Sequence, residues 1–235
     1  MRGTRYGSIK GLLYLSIFQR KEFSQTTDAD KRRVIAALKG IANPDENISK
    51  FVEVDPILRY IAGNAMVGND DGYFGSMMHN FYVYEKNGKL TILPWDYNTS
   101  YGGFGRDDNE TLINIPIHEP FTSYITLDER PLIKRLFDDE ACLQTYDGYL
   151  RQAAEFYAFG EAAAVIDRVD AMIRSWIDQD PTKEYTLAQH DASVEMLKRY
   201  VELRGKAVLR QLSGDDTPIN ADGIDLHILN GVKPY

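Results

Sequence analysis

Cysteine is nearly absent from this 235-residue chain: Cys142 stands alone. No intrachain disulfide can form, and no cysteine cluster is available for zinc. That leaves the compartment open, because many bacterial surface proteins also do without disulfides. Long apolar runs are missing as well. The longest near the start, Gly11 to Phe18, is too short to cross a bilayer and has no small-residue cleavage site. We read it as a buried segment and expect any export signal upstream of Met1. Positive charge is in deficit, with 27 Lys and Arg against 35 Asp and Glu and a net charge of -8. Duplex binding requires clustered Lys and Arg, so nucleic acid is not expected as a partner. Lys31, Arg32 and Arg33 read as the solvated face of a helix. The histidines form no His-x-x-x-His pair, and no Gly-x-Ser-x-Gly elbow is present, which argues against a zinc site and a serine hydrolase.

What is present suits one globular unit, with 43% hydrophobic and 26% charged residues. Thr27-Asp-Ala-Asp30 reads as a capping box, and Val34, Ile35, Leu38 and Ile41 follow at helical spacing. Asp55-Pro56 predicts an N-cap with proline in the first helical position, and Ile57, Leu58, Ile61, Ala62 and Ala65 carry that helix to about Gly68. Phe81–Tyr84 and Leu90–Leu93 flank Asn87-Gly88, a dipeptide suited to a two-residue turn with positive φ at both positions. Tyr101 to Asp128 reads as a long loop. Helices resume at Arg130 and again from Glu140 to Phe159. Val165, Ile166, Val169, Met172, Ile173 and Trp176 mark a further helix, and Val194 to Leu212 a long last one. From Ser213 the chain reads as a polar tail.

Two acidic loops follow regular elements: Asn69-Asp-Asp-Gly72 after the second helix, and Trp95-Asp-Tyr-Asn98 after the hairpin. A carboxylate at the end of a rigid element can be positioned well enough for metal binding or proton transfer. Magnesium prefers a few carboxylate or amide oxygens, which suits Asp96 with Asn98 or Asn80. Phosphoryl transfer needs in addition a carboxylate that accepts the proton of the attacking hydroxyl, and Asp71 is the candidate. The same residues also suit plain structural roles, with Asp70 and Asp71 capping a turn before Gly72 and Asp96 in an Asx-turn with Asn98. His79 is a candidate phosphate contact, although a histidine leading a strand is more often structural. The tyrosines around the hairpin read first as cross-strand packing.

His79-Asn-Phe-Tyr-Val-Tyr84, then Asn87-Gly-Lys-Leu-Thr-Ile-Leu-Pro-Trp-Asp-Tyr-Asn98 and Gly102-Gly-Phe104, resembles the signature of the spore coat protein H (CotH) kinases, atypical secreted protein kinases. Val54 to Ala62 and Asp128 to Ile133 extend the likeness to about residues 27 to 213. The resemblance implies an α+β, kinase-like C-terminal lobe, mainly helical, with the hairpin carrying the acidic site. Residues 1–26 would be the remnant of a preceding part and 214–235 a tail. It also implies Asp71 as catalytic base and Asp96 as metal ligand, with Asn80 a further metal or phosphate contact. Asn98 stands where the family pattern has a second aspartate in many relatives, which weakens a two-metal arrangement. Magnesium or manganese, ATP, and a coat or surface protein as Ser/Thr substrate are implied with these, at the spore coat, the cell surface or outside the cell. Nothing before Asp28 is similar to the ATP-binding lobe of kinases. The chain is therefore expected to hold ATP poorly by itself. A non-catalytic coat scaffold remains an alternative reading. So does a glycoside hydrolase using Asp71 and Asp96, for which the carboxylates would stand roughly 5–9.5 Å apart.

Overall fold

Thr27 opens the first helix, α1 (Asp28–Ala42), by the reciprocal cap its sequence announces: Thr27 N–H donates to Asp30 Oδ2 at 2.6 Å while Asp30 N–H donates to Thr27 Oγ1. Asp30, bonded by the Thr27 side chain and backbone and by Arg33, is held down at about 2. The computed structural model describes residues 26–69, 71–75, 78–102, 108–121, 125–226 and 228. Asp70, Gly103 to Gly105, and most of the segment before Thr27 lie outside the described residues.

A 3₁₀ turn (Ile48–Lys50) leads into α2 (Val54–Val67). Here the sequence reading is corrected: the N-cap is Glu53, not Asp55. Asp55 lies inside the first turn and takes bonds from Arg59 and from the Tyr149 hydroxyl. Pro56 is tolerated in the third helical position because the first N–H groups of a helix have no intrahelical partner. Strands β1 (Phe81–Lys86) and β2 (Lys89–Pro94) pair antiparallel in the register Phe81↔Pro94 to Lys86↔Lys89. Asn87 (φ 54°) and Gly88 (φ 84°) make the turn as expected. Leu90 also exchanges backbone bonds with Phe51 and Glu53, which lays the segment before α2 along the edge of β2.

The expected loop from Tyr101 contains a short helix, α3 (Asn109–Ile113), capped by Asp108. The rest is helical: α4 (Pro131–Phe137), α5 (Glu140–Ala158), α6 (Glu161–Gln179) and α7 (Leu187–Leu212). The fold is mixed, mostly helical, with one small antiparallel hairpin, in the α+β class expected. One core joins α1, α2, the hairpin, α4 and α5 through Ile57, Ile61, Leu90, Leu136, Tyr146 and Leu150. A second gathers α3 and α7 with Ala221, Ile224 and Leu226, so part of the segment read as a polar tail is buried. Gly205 lets α7 approach α5 backbone to backbone: a Cβ there would lie 2.6 Å from Ala158 N and 2.7 Å from Ala154 O.

Candidate functional site

Helix α2 ends at Gly68 in the left-handed conformation (φ 58°, ψ 49°), and its last four carbonyls are all met. Gly68 N–H bonds Asn64 O, and Tyr101 N–H bonds Val67 O at 2.7 Å. Arg204 Nη2 donates to Ala65 O at 2.9 Å, and the Tyr200 hydroxyl to Met66 O at 3.1 Å. The start of the Asp71 loop is thereby clamped by α7 and by the end of the Asp96 loop.

Below the Asp71 loop runs a buried amide network. Asn64 Nδ2 donates to Tyr60 O and to the Tyr97 hydroxyl at 2.9 Å, while Asn64 Oδ1 accepts from Asn69 Nδ2. Asn69 Oδ1 in turn accepts from Asp71 N–H, and Tyr73 N–H donates to the Tyr60 hydroxyl. Burial raises the Tyr97 phenol above its usual range against the opposing hydrogen bonds from Asn64 and Asn69, so it stays a neutral hydroxyl. Gly72 covers the network: a Cβ would fall 2.9 Å from Asn69 Nδ2 and 3.3 Å from Asn64 Oδ1. Beyond it, buried Arg130 donates to Tyr73 O at 2.8 Å and Gly75 O at 2.6 Å.

Asp71 and Asn80 meet at the open end of the hairpin. Asn80 precedes β1 with φ 51°, and its Nδ2 donates to Asp71 Oδ2 at 2.6 Å. The Asn80 carbonyl accepts from Trp95 N–H at 3.2 Å, one residue before Asp96. Asp96 is exposed and also left-handed, at φ 50°. Asp71 is thus joined directly to Asn80, and Asp96 follows the residue whose N–H bonds the Asn80 carbonyl. His79 and Asn98 are both exposed, and His79 touches the Asp71 loop through its backbone N–H, which donates to Asp71 O at 3.1 Å.

Two carboxylates and an amide are hard oxygen donors of the kind magnesium takes, with water or phosphate oxygens completing its shell. With Nδ2 turned to Asp71, the oxygen end of the Asn80 amide is the one able to face a cation. Among the described residues no three or more His, Cys, Asp or Glu side chains gather as a metal cage. By residue type, Asp71, Asp96 and Asn80 suit a hard cation that keeps several oxygens from water or substrate.

Residues 14–208 match the family model described as CotH kinase protein. The chain belongs to this family. It is also similar to the inner spore coat protein H of Bacillus subtilis (strain 168), 24% identical over 174 residues, covering 71% of this chain and 43% of that protein. The chain thus spans less than half the length of this CotH relative. No described helix is long and apolar enough to cross a membrane.

Sequence reasoning missed Asn64, Asn69, Tyr97, Arg130 and Arg204. Two of them carried a signal. Asn64 falls on the apolar face of α2, one heptad after Ile57, and Arg204 lies in the apolar stripe of α7 between Val201 and Val208. A polar residue in such a stripe must find partners inside the fold.

Proposed function

We propose that the chain carries the acceptor and metal half of an ATP- and magnesium-dependent protein Ser/Thr phosphotransferase acting on coat or surface proteins. The reading rests on one observation above all, the Asn80 amide bonded to Asp71 Oδ2 at 2.6 Å at the strand end that delivers Asp96. Asp71 accepts the proton of the attacking hydroxyl, and Asn80 holds its carboxylate in place. Asp96 and the Asn80 oxygen hold the magnesium, with Asn98 and His79 as outlying contacts to metal and phosphate. The ion, when bound, offsets negative charge on the transferring phosphoryl group. Family membership and the name of the Bacillus subtilis relative support placement in the spore coat.

The test is phosphate transfer from ATP to coat protein by the full-length protein, with nucleotide binding followed by calorimetry with and without magnesium. Asp71→Asn and Asp96→Ala should each lower transfer by about 100-fold or more. Transfer as fast with Asp96→Ala as without it would overturn the reading. Absence of metal-dependent nucleotide binding would favour a coat scaffold that keeps the fold.

A further inference from the structure

Helix α6 is amphipathic, and only part of its apolar surface is docked, Ala162 and Ile166 packing on the second core. Its polar side meets α7 through an ion pair of Asp167 with Lys198 at 3.0 Å, a hydrogen bond between Asp170 and His190 at 2.6 Å, and a two-point pair of Arg174 with Asp191. At about 100° per residue, the apolar stripe Val169, Met172, Ile173 and Trp176 lies well around the helix from these anchors. Its members are 43%, 67%, 40% and 74% exposed. These contacts, with Ala162 and Ile166 packed on the second core, set the rotation of α6 that leaves the stripe outward.

We propose that this stripe is the self-association surface of the chain, with α6 of two copies crossing antiparallel about a two-fold axis. Area supports a second copy as the occupant. Trp176, 74% exposed, presents most of an aromatic side chain's roughly 150–250 Å², and with Val169, Met172 and Ile173 the exposed apolar area is on the order of 400 Å² per copy. A standard interface buries about 800 Å² per partner, of which somewhat over half is apolar, roughly the same amount. A stripe at i, i+3, i+4 and i+7 is also complementary to itself, as a two-fold contact requires. Charge favours the antiparallel sense. Centred on Met172 and Ile173, that register brings exposed Arg168 of each copy toward the acidic 178–180 end of the other, whereas a parallel register sets Arg168 against Arg168.

Sedimentation equilibrium of the full chain tests this. The expected result is a concentration-dependent dimer whose dissociation constant rises by about 30-fold or more in Trp176→Glu and Met172→Glu. Both variants should keep the wild-type circular dichroism, and at concentrations where the wild type is monomeric its melting temperature, since neither side chain is buried in the single copy. In a Cys142→Ser background, Met172→Cys should form an intermolecular disulfide under mild oxidation. A monomer at all concentrations, an open series of larger species, or a dimer unchanged by both glutamates would overturn the proposal.

Discussion

Asn80 donates its amide to the carboxylate of Asp71 at 2.6 Å, from a backbone position with φ 51° that few non-glycine residues adopt. Asparagine tolerates that conformation better than most and supplies the donor at the same time.

Removing the donor tests whether this contact positions Asp71. Asn80→Ala should lower kcat for phosphate transfer by roughly 10- to 100-fold with little change in KM for ATP. Asn80→Asp sets two carboxylates in contact and makes a stronger cation ligand, so its residual activity should saturate at lower magnesium than the wild type. A magnesium titration of kcat for both variants checks the pair.

Gly72 is needed for space. Gly72→Ala pushes a methyl group into Asn69 and Asn64, which have no room to give because both are buried and bonded. We expect a cost of about 1–3 kcal/mol in chemical denaturation. Activity should fall by more than that loss explains at a temperature where the variant is fully folded, because the Asn69–Asp71 bond is displaced.

Arg204 is fully buried and bonds three carbonyls, those of Ala65, Ile113 and Ile115. Burial lowers its pKa from the usual arginine value, yet a guanidinium still spans three acceptors that no apolar residue can meet. Arg204→Met should cost about 2–4 kcal/mol, a fall in Tm of roughly 5–15 °C. Arg204→Lys should not restore it, since an ammonium lacks the planar fork.

Asp30 gives a pH dependence whose sign is fixed. Its folded value of about 2 lies below the ordinary 3.8, so its contribution is present above 3.8 and is lost as pH falls toward 2. Asp30→Asn should therefore melt below wild type at pH 7, and the two melting curves should converge near the acid end of that window. Thermal melts by circular dichroism at stepped pH check this.

Local chemistry made much of the fold legible. Asn87-Gly88 set the hairpin and Thr27 to Asp30 set α1, because each depends on neighbours in sequence. Asp55 was misread because its partner, Tyr149, lies on a distant helix. The α6 periodicity was real, but it does not encode that Ala162 and Ile166 reach the second core while Met172 and Trp176 stay exposed. Asp71 and Asp96 stood out by residue type and family order. The amide network that fixes Asp71 did not, because Asn64 and Tyr97 are 33 residues apart and each has an ordinary local role available.

The capping of α2 also orders events in time. Its terminal carbonyls wait for Tyr200 and Arg204, 134 and 139 residues further on. The residues through Arg204 must therefore be made before the Asp71 loop can settle, and until then a nascent chain presents an unlatched acidic loop.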